Sequence, residues 1–109
     1  MRVDIKPGVR LKEINDHLVT VCRIVAEVEA SYNVIPTITS GCDGAHMPGS
    51  YHFDGEAWDF RTRDLLDPWT VASMVRDRLK GISKAYDVVY GDKDHIDHIH
   101  IEWDKKKGT

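Results

Sequence analysis

Residues 57–61 read Ala-Trp-Asp-Phe-Arg, and residues 98–103 read His-Ile-His-Ile-Glu-Trp. Side chains along a β-strand alternate between two faces, so each stretch reads as a strand with one apolar and one polar face. In the first, Trp58 and Phe60 share the core face, while Ala57, Asp59 and Arg61 share the other. In the second, Ile99, Ile101 and Trp103 alternate with His98, His100 and Glu102. If the two polar faces line one groove, Asp59 and His100 meet over the sheet.

Working outward, Leu11, Ile14, Leu18, Val21, Cys22, Val25 and Val28 recur at three- and four-residue steps. That spacing predicts an amphipathic helix over about residues 10–31, with His17 on its solvated side. Ile35-Pro36-Thr37-Ile38-Thr39 is a short β-branched run that reads as a strand with Pro36 near its start. Residues 40–50 hold three glycines and Pro48 and read as a loop. Asp67-Pro68 opens a second helix, Asp67 as N-cap and Pro68 in the first turn, running to about Lys80 with Gly81 just past its end. Tyr86–Tyr90 reads as a strand, and Gly91-Asp92-Lys93-Asp94 as the turn that leads toward the last one. The order helix, strand, strand, helix, strand, strand predicts an α+β domain with a small, mostly antiparallel sheet packed against two main helices.

The length of 109 residues fits one domain, residues 1–109, with no repeat and no internal linker. A net charge of −3 gives no basic excess, so nucleic acid is not an expected partner. No apolar run is long enough to insert in a membrane. The N-terminal residues Met-Arg-Val-Asp-Ile-Lys-Pro carry no apolar signal core, so synthesis in a cytoplasm without an export signal is expected. Cys22 falls on the apolar stripe of the first helix and reads as a buried small hydrophobe, while Cys42 lies in the loop. Two cysteines at this spacing do not make a disulfide framework, and a single bridge between them is left open.

The polar residues carry the chemistry. Ser50-Tyr-His52-Phe-Asp-Gly55-Glu-Ala57-Trp-Asp59 places an imidazole and a carboxylate seven residues apart across a glycine, and His95-Ile-Asp97-His98-Ile-His100 supplies three more imidazoles and a carboxylate. Two histidines and an aspartate make a three-ligand set for a catalytic zinc, with the fourth position left for water. His52, on the loop before Gly55, can fold over to join Asp59 and His100.

Ser50-x-His52-x-x-Gly55-x-Ala57-x-Asp59, followed by His98-x-His100, resembles the zinc peptidases that cleave peptidoglycan stem peptides. These are the D-alanyl-D-alanine carboxypeptidases, the D-Ala-D-Ala dipeptidases and the phage L-alanyl-D-glutamate endopeptidases, which share a fold with the hedgehog signalling domain. The resemblance extends over nearly the whole chain in element order, with its specific content in residues 38–60 and 94–103. It implies one zinc ion held by His52, Asp59 and His100. It implies Asp97, three residues before the last ligand, as the catalytic carboxylate, and His98 as a group that stabilises the developing oxyanion. Ser50 and His95 are implied at the substrate side.

One departure bears on specificity. Members of the family commonly carry an arginine after a Ser-Gly-aromatic turn, and here the stretch is Ser40-Gly41-Cys42-Asp43, with an acid in its place. Arg61, on the predicted face of Asp59, is the cation that could replace it at the substrate. The resemblance therefore implies a monomeric hydrolase of endolysin type that cuts the L-Ala–D-Glu bond of the stem peptide and reaches the cell wall after membrane permeabilisation. The alternatives are a D-Ala-D-Ala carboxypeptidase or dipeptidase, to which His95-x-x-His98-x-His100 points, and a zinc-stabilised binding domain without turnover.

Overall fold

In a computed structural model of the chain, described here for residues 1–41, 56–92 and 97–107, two helices and five strands form an α+β fold. The elements are β1 (Asp4–Ile5), α1 (Asp16–Ala30), β2 (Thr37–Ser40), β3 (Ala57–Arg61), α2 (Pro68–Ile82), β4 (Tyr86–Val89) and β5 (His98–Trp103). The sheet order is β1-β2-β3-β5-β4. Only the β1–β2 pair is parallel, and the other neighbours run antiparallel.

The two strands that anchored the sequence reading lie side by side in the middle of the sheet, with Asp59 opposite His100 and Arg61 opposite His98. The alternation holds: Trp58, Phe60, Ile99 and Ile101 are buried in one core with Val21, Val25 and Val28 of α1 and Val71, Val75 and Leu79 of α2. The polar side chains of β3 and β5 therefore belong to the sheet face that the helices do not occupy.

α1 begins at Asp16, five or six residues later than the apolar spacing predicts. The reason is a cap: the Asn15 side chain accepts a hydrogen bond from the Leu18 N–H at 2.9 Å, and its extended backbone ends the helix there. Ile14, counted on the stripe, is instead exposed, while Leu11 packs against the core from the approach to the helix. His17 is a second correction. It is half-buried and stacks on the Trp103 ring, with centroids 3.8 Å apart, so the last strand is tied to the first helix through it.

α2 starts as expected, with Asp67 accepting hydrogen bonds from the Thr70 N–H at 3.1 Å and the Thr70 hydroxyl at 2.6 Å. These bonds hold the Asp67 carboxyl below its usual range. Its end differs from expectation. Gly81 lies inside the helix, which runs to Ile82 and is closed by an extended Ser83 whose hydroxyl accepts from the Ala85 N–H. A glycine that the backbone does require is Gly91, at φ +96°, where a Cβ would collide with the Trp69 ring. From α2, the Arg76 guanidinium donates twice to the Val88 carbonyl, which satisfies that one acceptor on β4, at the end of the sheet order.

β1 is an element that the sequence pattern does not reveal. Its two residues pair with Thr37 and Ile38, and the Lys6 N–H extends the ladder to the Ile38 carbonyl at 3.0 Å. Two residues are too few to show a period of two. The short ladder nevertheless sets Lys6 beside the polar face of the sheet.

Candidate functional site

The antiparallel pairing of β3 with β5 builds the site. Residues directly opposite on such a pair project to the same face, so Asp59 and His100 meet side chain to side chain. The His100 Nδ1 lies 2.9 Å from Asp59 Oδ1, and its Nε2 lies 2.9 Å from Glu102 Oε1. One imidazole is thus clamped between two carboxylates, with Asp59 only 7% exposed. Burial alone would lower the pKa of His100, but the hydrogen bonds and charges of Asp59 and Glu102 outweigh it and raise the value to about 9. The imidazole therefore carries both N–H groups at neutral pH and donates one to each carboxylate.

His98, one strand step away on the same face, brings its Nε2 to 3.7 Å from Asp59 Oδ1. Asp97 precedes β5 at an exposed bend. Asp97 and His98 line a cavity of about 550 Å³ together with Arg61, Arg63, Lys6 and Thr39. Asp59, His98 and His100 are thus brought together, and Asp97 and Arg61 share the cavity at their edge. Ser50, His52 and His95, like Cys42 and Asp43, lie outside the described residues.

Glu102 is a site residue that the sequence reading placed on the polar face without a role. Its signal is the alternation itself: two residues from His100 on a strand, it must share that face. Lys6 gave no such signal, because its neighbours come from a pairing that only the fold supplies.

Among the described residues, no group of three or more His, Cys, Asp or Glu side chains is placed to hold a metal ion. The two described residues of the expected ligand set nevertheless fit one. A carboxylate oxygen and a ring nitrogen 2.9 Å apart need open by only a few tenths of an ångström, since two donors on a tetrahedral zinc stand about 3.3 Å apart. The other ring nitrogen already faces a carboxylate, which is how a metal-binding imidazole is ordinarily oriented. A metal bound there must displace the proton that the two carboxylates hold on His100.

No helix among the described residues is long and apolar enough to cross a membrane. No family model, curated protein or solved structure matches the chain.

Proposed function

We propose that the protein is a zinc-dependent peptidase that hydrolyses a peptide bond of peptidoglycan stem peptides, with L-Ala–D-Glu as the bond cut. The observation that carries this reading is the Asp59–His100–Glu102 chain of contacts on the sheet face where Asp97 and His98 border a cavity. A purely structural histidine on a sheet surface has no need of two flanking carboxylates, nor of a neighbouring histidine and aspartate at the edge of an open groove.

In this reading His52, Asp59 and His100 hold the metal, and Glu102 fixes the ring of His100 through Nε2. A bound zinc ion supplies a Lewis acid for the scissile carbonyl and lowers the pKa of the attacking water. The residues of the chain do the rest. Asp97 accepts the proton of the attacking water on a carboxylate oxygen and delivers it to the leaving amine nitrogen. His98, held toward Asp59, places an N–H near the carbonyl oxygen as negative charge develops there. Ser50 and His95 contact the substrate.

The test uses three variants and two readouts. His52→Ala and His100→Ala lose zinc in a chelator competition, whereas Asp97→Ala binds one zinc per chain and releases no peptide from purified peptidoglycan. Wild-type turnover in Asp97→Ala would remove that residue as the base. Zinc bound as tightly by His52→Ala and His100→Ala as by the wild type would remove the metal centre.

A further inference from the structure

Of the three tryptophans in the chain, two are committed to the interior. Trp58 is buried in the core, and Trp103 is half-buried under the His17 ring. Trp69, in the first turn of α2, is 62% exposed. A single apolar side chain at a surface is ordinary. This one, however, is held in place. Its six-membered ring rests against Gly91, whose positive φ and missing Cβ make the seat, and Tyr90 meets it in a T-shaped contact with centroids 5.0 Å apart. Tyr90 packs in turn against the core. The backbone seat and the edge-on neighbour fix the plane of the indole and leave a broad face to water, so a ligand laid on it has little left to order.

The sheet sets where this plate stands. Val89 is opposite His100, so Gly91, two residues further along the chain, comes to the His98 end of β5. The same end holds the last residue of β3, Arg61, directly opposite His98. The segment after β3 gives Thr62 and Arg63 to the cavity beside Asp97 and His98, then passes the fully exposed Leu66 and reaches Trp69. The plate and the cavity therefore belong to one end of the sheet.

Its size and surroundings select the ligand. An aromatic side chain buries only about 150–250 Å², far below the roughly 1,200 Å² that a stable protein partner covers. Polar neighbours border it: Asp67 and Thr70 on α2, and Asp92 beside Gly91, are all exposed. An apolar plate of one ring's dimensions inside a polar rim matches a pyranose. The C–H bonds of one sugar face lie on the electron-rich face of the indole, and the hydroxyls point outward to water and the rim.

We infer that Trp69 is a stacking platform for a sugar ring of the glycan strand that carries the stem peptide. The class of ligand, a pyranose, follows from the plate; the identity of the glycan rests on the peptidase reading. In peptidoglycan L-Ala joins the stem peptide to the lactyl group of the sugar, so the L-Ala–D-Glu bond lies one residue away from it. An extended residue spans about 3.5 Å, so the sugar stays close beside the groove while that bond is cut.

The test separates the two claims. The full chain is titrated with the tetramer of N-acetylglucosamine, which carries no peptide, and the indole N–H resonances are followed by NMR. The tetramer is expected to shift the resonance that Trp69→Phe removes and to leave that of the buried Trp58 in place. Trp69→Leu weakens the binding about tenfold. Trp69→Phe, which keeps an aromatic ring over Gly91, weakens it less and keeps the test open if the leucine variant folds poorly. Turnover is scored separately, as the ratio of kcat/KM on peptidoglycan to kcat/KM on the same stem peptide freed of sugar. That ratio falls about tenfold in Trp69→Leu, whereas a general loss of folding would lower both values and leave it unchanged. An unmoved Trp69 resonance, equal sugar affinity in wild type and Trp69→Leu, or self-association through Trp69 in place of sugar binding overturns the platform. Sugar binding at Trp69 without cleavage of any stem peptide removes the peptidase reading and leaves the platform standing. Cleavage with a ratio that Trp69→Leu does not alter removes the platform and leaves the peptidase.

Discussion

Glu102 decides which nitrogen of His100 is left to face Asp59. By engaging Nε2 at 2.9 Å it turns Nδ1 toward the buried carboxylate, and it raises the basicity of the ring as a ligand. Glu102→Ala is therefore expected to weaken zinc binding by about 10–100-fold while leaving all three proposed ligands in the sequence. Competition against a chromophoric chelator measures this directly, and unchanged affinity would take Glu102 out of the site. At this scale the sequence is informative wherever periodicity applies. Asp59, His98, His100 and Glu102 could be assigned to one face because strand side chains alternate, and Asp59 could be matched to His100 because both belong to strands with one apolar face. Lys6 could not be placed, since a two-residue strand has no visible period and its neighbours are set by pairing.

At the scale of the elements, the first helix carries a cost within it. Glu29 stands on the buried stripe four residues after Val25 and seven after Cys22, a position that the spacing marks as apolar. Its side chain is 0% exposed, and neither carboxyl oxygen has a hydrogen-bond partner among the described residues. Burial, with the nearby charge of Asp64 adding to it, pushes the carboxyl up to about 8. The folded chain therefore keeps this proton to higher pH than the unfolded chain, where a glutamate releases it near 4.5. Stability conferred through this residue falls as pH rises from about 4.5 to about 8 and is level beyond. Glu29→Gln is expected to stabilise the protein by about 1–3 kcal/mol at pH 7 and by little at pH 4. Urea unfolding of both proteins across that range gives the difference, and a gap that does not change with pH would contradict it. Helix ends were less legible than helix faces. A stripe of apolar residues says which side is buried, but Asn15 and Ser83 set the limits through local hydrogen bonds, and Leu11 reaches the core without being helical.

At the scale of the molecule, the fold divides its labour between the two faces of one sheet. The face of Trp58, Phe60, Ile99 and Ile101 closes the core with both helices, and the face of Asp59 and His100 is left for polar groups. The same alternation in β3 and β5 produces both, which is why the two faces of these strands and part of the site could be read from eleven residues. The remainder could not be read this way. Residues brought together only through tertiary pairing, such as Lys6 and Arg61 at one cavity or His17 stacked on Trp103, leave no mark in the local pattern. The central claim is that this polar face cuts peptidoglycan with the help of a metal. Mass spectrometry of the products released from purified peptidoglycan, by protein with zinc and by protein treated with a chelator, tests it most directly. The account predicts stem peptides with a new D-Glu or D-isoGln amino terminus in the zinc sample and none after chelation. Free D-Ala would show a carboxypeptidase instead, and no cleavage across several stem types with zinc still bound would contradict the enzyme altogether.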